Sequence, residues 1–403
     1  MPLSYPLDNN AYADSKLVEA KEYTDVNLAQ SIQVLTVNEA YITKKDPFSY
    51  SNDIVTIKAG TTIPIFNVKW KLFVVNEDVD VSSLDTGSLA VGTDYYVYLL
   101  DNGTTASFII SANSIAPLGR TTSNSKKIGG FHYGHVRKVN SSYVPVDSNG
   151  VTFGATGTIW QNNVTIGIVP NSVWDLVNRP KCSPEGMVKI GDIWVDIYLA
   201  SSDVAITWEP GGSNGLQHIA NGVPQSKYGK LPLTGTEGLN WYSFAELSKR
   251  VGKKMLTYAK WISAAYGNPE GEQSADNYGW TKTTNSARAH TGCRVNNSTG
   301  VYEAGEIKPF AISAYNCVDC VGNVWEWLDE LTIRQDSTSW GWQDVLGSTK
   351  GQAYLPNNLG LCAFISGGNW NAGSVSGSRS VHLHDRPWSV NTRIGSRFSC
   401  DNL

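Results

Sequence analysis

The first 45 residues carry apolar side chains at helical spacing. Asp14 can cap the first turn of a helix that would run to about Leu35. The apolar stripe is narrow and its flanks are charged, which favours a helix packed either against copies of itself or on a neighbouring β-domain. We therefore predict an N-terminal helical assembly segment over residues 1–45. Its apolar stripe consists of Leu17, Ala20, Thr24, Leu28, Ile32 and Leu35.

The pattern becomes that of β-strands after Asp46. Apolar residues alternate with others along residues 67–74, and residues 95–100 form a continuous apolar run, YYVYLL, between turn signals. Turns containing Gly or Pro then follow at the intervals expected of hairpins. We predict an antiparallel β-domain over residues 46–180.

Pro180 and Pro184 mark a second boundary. Beyond it, residues 187–199 predict strands, and residues 243–266 predict a helical segment that Gly252 interrupts. The remainder consists of long connections rich in Gly, Ser and Asn, which in a compact domain are often functional. We predict a β-rich α+β protein whose third domain spans residues 181–403.

Composition and charge narrow the range of partners. The formal net charge is −4, so no basic excess points to nucleic acid or to an anionic membrane. Residues 1–10 lack the basic and apolar parts of a secretion signal, and no apolar run approaches the roughly 18 residues that span a bilayer. We expect synthesis in the cytoplasm without a signal peptide, no membrane insertion, and aromatic-lined surfaces from the 14 Trp and 19 Tyr.

Three landmarks follow one another within residues 182–403. The helical segment ends in WISAAYGN at 261–268, residues 321–327 read VGNVWEW, and residues 366–370 read SGGNW. The third landmark is completed by Ser378-Arg379, Arg386-Pro387 and the IGSR of residues 394–397. This order resembles the formylglycine-generating-enzyme branch of the C-type lectin fold. The resemblance implies a C-type-lectin-like ligand-binding domain over residues 181–403.

Residues 367–400 resemble the variable region of proteins that diversity-generating retroelements alter. They read GGNWNAGSVSGSRSVHLHDRPWSVNTRIGSRFSC. In that family, randomised adenines turn Asn codons into most residue types but not readily into Lys, Glu, Gln, Met or Trp. The first four do not occur between Asn369 and Arg393, and the two Trp there, Trp370 and Trp388, are by this logic expected to be scaffold. The resemblance implies a recognition surface within residues 366–400, which we call the recognition stretch. Its candidate ligand-binding residues are Asn369, Asn371, Ala372, Val375, His382, His384, Asp385, Ser389, Asn391 and Arg393.

A surface that accepts many side chains must be held by residues that do not vary. Glycines permit positive φ or close backbone approach, tryptophan fills a core, and a buried guanidinium can bond several loop carbonyls. From the residues alone, His382 and His384 are equally typical of an exposed strand face that binds nothing. The expected frame consists of Gly367, Gly368, Trp370, Arg379, Pro387, Trp388, Gly395 and Arg397.

The resemblance implies a non-catalytic protein that attaches a viral tail or fibre tip to a host-surface protein or glycan. Similarity to tail proteins also implies a homotrimer in the virion, in which three weak sites would act together. Two alternatives stay open, a formylglycine-generating-type oxidase and a purely structural virion or surface protein. The oxidase would need a thiolate in the groove, and no cysteine lies between Trp370 and Pro387.

Three further groups of residues carry side chains that can bind a metal. The resemblance implies a structural calcium site made by Asp319, the carbonyls of Gly322 and Val324, and Glu326, since hard oxygens suit Ca²⁺. The alternative is that Glu326 forms a cap or a salt bridge in the core. Cys317 and Cys320 lack a second ligand pair, so we interpret them as a packed thiol pair or a disulfide. We place His132 and His135 on the surface or in a hairpin.

Overall fold

The computed structural model describes residues 47–65, 71–137, 164–210, 218–268, 288–292, 312–334, 341–343, 352–355 and 360–403. The predicted N-terminal helix lies outside the described residues. Within them, strands predominate and two short α-helices occur, so the β-rich prediction is confirmed. None of the described helices is long and apolar enough to cross a bilayer. The predicted domain boundaries remain predictions.

Residues 47–175, which we call the middle region, fold into antiparallel sheets. The first sheet has the strand order β1-β2-β5, β3 pairs with β4, and a larger sheet has the order β10-β8-β6-β7 with β9 also paired to β8. The strands are β1 (Phe48–Ser51), β2 (Ile54–Ile57), β3 (Thr62–Ile65), β4 (Lys71–Val74), β5 (Val79–Val81), β6 (Thr93–Asp101), β7 (Ala106–Ser111), β8 (Ser125–Arg137), β9 (Val164–Ile168) and β10 (Trp174–Asp175).

Strand β6 explains the continuous apolar run at residues 95–100. Successive side chains of a strand point to opposite faces. Tyr95, Val97 and Leu99 enter the core of the middle region. Tyr96 and Tyr98 enter a second cluster, which also contains Trp194 from beyond residue 187. The run is apolar throughout because both faces of the strand are buried.

Residues 187–403, the C-terminal region, contain several small sheets and two helices. A four-stranded sheet has the order β11-β12-β24-β17, and a six-stranded sheet has the order β19-β20-β22-β21-β18-β23. The elements are β11 (Met187–Ile190), β12 (Ile193–Asp196), β13 (Ala200–Ser201), β14 (Thr207–Trp208), β15 (Ile219–Asn221), β16 (Gln225–Ser226), α1 (Trp241–Arg250), β17 (Lys254–Met255), α2 (Tyr258–Ala265), β18 (Trp325–Arg334), β19 (Gly341–Gln343), β20 (Ala353–Leu355), β21 (Gly360–Gly367), β22 (Gly377–His382), β23 (Ile394–Gly395) and β24 (Phe398–Asp401).

The predicted helical segment of residues 243–266 is two helices. Asn240 caps α1 in a reciprocal box with Ser243, and the helix ends at Arg250. Gly252 then adopts φ +70°, which turns the chain into β17 before Thr257 caps α2. Helical periodicity therefore located both helices but missed the short strand between them.

Polar contacts join the middle and C-terminal regions. His132 of β8 lies between two partners, with Nδ1 2.9 Å from the carboxylate of Asp94 and Nε2 3.0 Å from the hydroxyl of Tyr198. Arg137, at the end of β8, donates to the carbonyls of Gly267 and Ile312. These contacts bring β8 of the middle region against several segments of the C-terminal region.

The prediction that His132 and His135 lie at the surface is wrong. Their exposed fractions are 1% and 8%, because β8 runs beneath the C-terminal region. The His135 ring packs at 5.9 Å from that of Tyr228, and burial lowers the pKa of His135 to about 4. The turn-like sequence around them gave no sign of this long-range packing.

Candidate functional site

Gly367 and Gly368 mark where the recognition stretch leaves β21. Both have positive φ, +97° and +94°. A Cβ on Gly367 would overlap the carbonyl oxygen of Cys320, and one on Gly368 would overlap the hydroxyl of Ser376. Only glycine satisfies both conditions, so their predicted place in the frame is confirmed.

Arg397 is the central polar group of the frame and is fully buried. Its Nε donates to Glu326 at 2.8 Å, and its terminal nitrogens donate to the carbonyls of Asp196, Ile197 and Val318 at 2.6–3.0 Å. One guanidinium thus ties together β12, β18 and the loop before β18. The frame role predicted for Arg397 is confirmed.

The two carboxylates of the predicted calcium site are engaged in other bonds. Both carboxylate oxygens of Glu326 accept from Arg397, at 2.8 and 3.2 Å. Asp319 Oδ2 accepts from the backbone of Gly292 and from the side chain of Asn323. A carboxylate that already carries a guanidinium does not fit a Ca²⁺ ligand, whereas it does fit the alternative of a core salt bridge. Calcium binding as such remains a prediction that the structure leaves untested.

Seven of the ten candidate ligand-binding residues fall into two sets. Asn371 and Arg393 are exposed, and the guanidinium of Arg393 lies 5.9 Å from the ring of Trp370. The other set is partly exposed and lies at the end of β22 and in the loop that follows. It consists of His382, His384, Asp385, Ser389 and Asn391.

Three of the candidates serve the frame instead. Asn369 is only 3% exposed and its Oδ1 accepts from the backbone of Asn371, so its assignment to the ligand surface is wrong. Its amide is occupied in shaping the turn after Gly368. Ala372 and Val375 are partly buried and pack against the core cluster that contains Trp325. Their side chains offer a ligand only part of their surface.

An aromatic cluster lies beside the candidate residues. The ring of His382 stacks on Tyr354 with centroids 4.6 Å apart, and it lies 5.4 Å from Trp342. His384 contacts Tyr354 at 5.5 Å, and Trp342 stacks on Trp325 at 6.0 Å. We call Trp325, Trp342, Tyr354, His382 and His384 the aromatic cluster. Strands β18, β19, β20 and β22 of the six-stranded sheet position four of its five members.

A carboxylate and a guanidinium both act on the aromatic cluster. Asp385 Oδ2 lies 2.8 Å from Nδ1 of His382. Burial lowers the pKa of His384, with His382 and Arg386 adding to the effect and Asp385 opposing it, and burial raises the pKa of Tyr354. Among the described residues, the cluster therefore presents aromatic faces with Asp385 beside them.

Main-chain hydrogen bonds from residues near the start of α1 hold the loop after β22. The amide of Trp241, at the start of α1, donates to the carbonyl of Pro387 at 3.1 Å. The amide of Gly235 donates to the carbonyl of Asn391 at 3.0 Å, and a Cβ on Gly235 would overlap the backbone of Asn391. Side chains on this loop can differ while its path is held by main-chain bonds.

Two residues expected in the frame are exposed. Trp388 is 46% exposed, and the guanidinium of Arg386 lies 5.7 Å from its ring. Arg379 points outward from β22, and only its carbonyl is used, as acceptor for the hydroxyl of Tyr258. The frame assignments of Trp388 and Arg379 are therefore wrong. Trp388 joins the residues that a ligand can reach.

Trp342 and Tyr354 belong to the site although no sequence pattern predicts it. They precede the recognition stretch, and they reach it through β19 and β20 at the edge of the six-stranded sheet. Strand β20 pairs in parallel with β22, which places Tyr354 opposite His382.

The described cysteines are buried or partly buried. Cys317 and Cys320 are fully buried, Cys400 is 3% exposed, and Cys362 is buried on β21 with its thiol donating to the carbonyl of His384. Cys182 is partly buried next to Met187. Among the described residues, no thiol opens onto the face that carries His382 and Trp388.

Comparison with known proteins gives consistent matches over most of the chain. The model of the Mtd second domain matches residues 47–161, and that of the sulfatase-modifying factor enzyme 1-like domain matches residues 156–398. The tail fiber receptor-binding protein of Bordetella phage BPP-1 is 28% identical over 368 residues, which cover 87% of this chain and 81% of that protein. The solved M1 and U1 variants of Major Tropism Determinant give TM-scores of 0.61 and 0.60 at 26% identity, covering 89% of this chain and 85% of theirs.

Proposed function

Because the chain belongs to the family of sulfatase-modifying factor enzyme 1-like domains and resembles a phage tail fiber receptor-binding protein along most of its length, we propose that it is a non-catalytic receptor-binding protein of a phage tail fibre. The same matches confirm the resemblance to variable proteins of diversity-generating retroelements. The virion is accordingly its place of action. A host-surface protein or glycan is its partner.

The position of Trp325 carries the proposal of where the ligand binds. Its amide donates to the carbonyl of Arg393, and its ring lies 5.8 Å from that of His382. The core cluster that contains it also receives Ala372 and Val375. Two separate parts of the recognition stretch thus meet at Trp325, and a third packs against the core cluster that contains it. We therefore place the ligand on one patch, which consists of Trp342, Tyr354, His384, Asp385, Trp388 and Arg393.

The chemistry of the patch suits a ligand with flat or apolar faces. Aromatic side chains supply large contact areas with little loss of conformational freedom, and they dominate the binding energy of many interfaces. Trp388, Trp342 and Tyr354 offer such faces, and Asp385 and Arg393 add one charge of each sign. Aromatic faces also stack on sugar rings, so a glycan fits the patch as well as a protein does.

A binding assay with labelled protein tests the proposal. A triple substitution of His384, Asp385 and Trp388 by Ala should weaken binding to susceptible bacterial cells at least roughly tenfold, since aromatic anchors dominate interface energies. A matched triple substitution of Ile115, Leu118 and Val204 by Ala, all exposed outside the patch, should leave binding unchanged. Flow cytometry over a panel of strains measures both. Equal binding by both variants would overturn the placement of the patch.

Comparison of sibling genes tests the diversified character of the stretch. Differences should concentrate in codons for exposed positions such as Asn371, His384 and Arg393, and should spare Gly367 and Arg397. A near-copy of the codons for residues 367–400 should lie nearby, differing chiefly at adenines, together with a reverse transcriptase gene. Differences spread evenly over the stretch would contradict the proposal.

Two finer features belong to the same proposal. We propose that three copies assemble, because a receptor-binding tip that carries several weak sites gains attachment strength from their number. Light scattering on the purified protein should then give three times the mass of the chain.

The second feature is that the protein has no oxidase activity. Thiol-dependent conversion of a cysteine-containing peptide should be absent, and its presence would favour the oxidase.

A further inference from the structure

The chain segment before β11 pairs with the end of β24. Pro180 forms an antiparallel bridge with Asn402. The amide of Lys181 donates to the carbonyl of Asp401 at 3.0 Å, and the amide of Leu403 donates to the carbonyl of Arg179 at 2.8 Å. In an antiparallel pair, each step forward along one strand is a step back along the other. Two steps from the bridge, Cys182 therefore stands opposite Cys400.

The hydrogen bonds also define the kind of pair. They join Lys181 to Asp401 and Arg179 to Leu403, so the positions between and beyond them are non-hydrogen-bonded. Cα atoms at such positions are about 4.5 Å apart. Disulfides span Cα separations of roughly 4.4–6.8 Å. The register thus places Cys182 and Cys400 at a separation that a disulfide can bridge.

The two side chains confirm what the register indicates. The thiol of Cys182 interacts with that of Cys400, and this contact contributes to the raised pKa of Cys182, for which burial is the main cause. Both cysteines are free thiols in this structure. The Cys400 thiol donates to the carbonyl of Gly252 at 3.6 Å, and a Cβ on Gly252 would lie 3.6 Å from Cys182 Cβ. Both thiols therefore sit beside the same turn.

We propose that Cys182 and Cys400 form a conditional disulfide, reduced during synthesis and oxidised after the protein leaves the reducing cytoplasm. A low-molecular-weight disulfide such as oxidised glutathione supplies the oxidising equivalent. The Cys182 thiolate attacks it and releases one glutathione thiolate, and the Cys400 thiolate then attacks the Cys182 sulfur and releases the second. One sulfur–sulfur bond breaks and one forms, and the two cysteine protons end on the two glutathione thiols.

Cys182 is the thiol that an oxidant reaches first. It is only partly buried, whereas Cys400 is 3% exposed. The amine of Lys253 lowers the pKa of Cys182 against the larger effect of burial, so the thiolate is scarce at neutral pH. Oxidation should accordingly be slow at pH 7 and faster at pH 9. This slowness would keep the pair reduced while the protein is made.

The crosslink would hold the frame of the recognition stretch. The disulfide would link the segment that leads into the C-terminal region with β24. Arg397, which directly precedes β24 in the chain, binds Glu326. The closed loop would include the whole chain from residue 182 to residue 400. The inference stands whether or not the protein binds a receptor, because the disulfide depends on the strand register and on the contact between the two thiols.

Peptide mapping of the purified full chain tests the disulfide. After incubation with oxidised glutathione, mass spectrometry without reduction should show Cys182 and Cys400 in one linked peptide pair, two hydrogens lighter than the sum. The oxidised protein should melt roughly 5–15 °C higher than the reduced one. Dithiothreitol should reverse both changes. Separate glutathione adducts on the two cysteines, or a link from either to another cysteine, would overturn the proposal.

Single substitutions separate this pair from the other thiols. Cys182→Ser and Cys400→Ser should each abolish the linked peptides and the oxidation-dependent rise in Tm. Cys362→Ser is the matched control, since Cys362 is also buried but bonds only backbone carbonyls. It should keep both changes. If Cys400→Ser fails to fold, the map of the unaltered protein decides the question.

Discussion

The guanidinium of Arg397 lies 2.8 Å from the carboxylate of Glu326, and neither side chain is exposed to solvent. The pair joins β18, which precedes the recognition stretch, to the segment between β23 and β24 near the end of that stretch. Removing one partner would leave a buried charge and several carbonyls without donors.

Replacement of Arg397 should therefore be severe. Arg397→Met should lower the free energy of unfolding by about 3–5 kcal/mol, measured by urea denaturation. Arg393→Ala, which removes an exposed guanidinium from the same stretch, should change stability by less than about 0.5 kcal/mol. Similar losses in the two variants would show that Arg397 does not organise the core.

Gly367 should be intolerant of a side chain for two reasons. Gly103→Ala tests the first alone, because Gly103 has φ +87° but open space around it, and it should cost about 1–2 kcal/mol. Gly367→Ala adds the overlap with the Cys320 carbonyl and should cost roughly 1–3 kcal/mol more. Urea denaturation compares the two. Equal costs would mean that the backbone near Cys320 yields easily.

Two tryptophans of the recognition stretch should behave oppositely. Trp370 is 3% exposed, so Trp370→Ala should lose about 3–5 kcal/mol of stability. Trp388→Ala removes a half-exposed ring and should leave Tm nearly unchanged while weakening cell binding. Thermal melting and flow cytometry distinguish the effects. A large loss of stability in the Trp388 variant would return that residue to the frame.

His135 should make stability depend on pH. Burial lowers its pKa from 6.5 to about 4, so between these values the unfolded chain binds more protons than the folded one. The contribution of the neutral His135 ring to the free energy of unfolding is fully present above pH 6.5. It falls by on the order of 3 kcal/mol as the pH drops towards 4. His135→Phe keeps a ring against Tyr228 and should flatten the curve of stability against pH. Parallel curves for the two proteins would contradict this assignment.

Calcium should not act through Glu326. Since its carboxylate is engaged by Arg397, we expect no calcium-dependent rise in Tm that depends on this residue. Differential scanning fluorimetry with calcium and then with a chelator measures this in the unaltered protein and in Glu326→Gln. A rise that is present in the former and lost in the latter would restore the predicted site.

Sequence patterns predicted the elements whose structure depends mainly on residues close together in the chain. The continuous run at residues 95–100 is a strand, and the glycines after Ser366 turn the chain where a Cβ does not fit. Arg397 was assigned to the frame correctly because the resemblance included its motif. The role of Trp342 was not visible, since it depends on a sheet that joins segments distant in sequence.

Errors arose where burial depends on tertiary packing. His132 and Asn369 are polar residues in turn-like sequence, yet both are buried, because other parts of the chain cover them and supply partners. Arg379 stands in a motif of the resemblance and Trp388 was assigned to the frame by the codon argument, yet both are exposed. A residue's place in a motif therefore did not settle which face of a strand or loop it occupies.

The order of the frame along the chain affects how variants are produced. Strand β24 lies between β12 and β17, and Arg397 reaches back to residues 196 and 197. The ribosome must therefore read through the whole altered stretch before the sheet that supports it can close. A stop codon or frameshift introduced by diversification would remove β24 and Arg397, so the four-stranded sheet of the C-terminal region could not close.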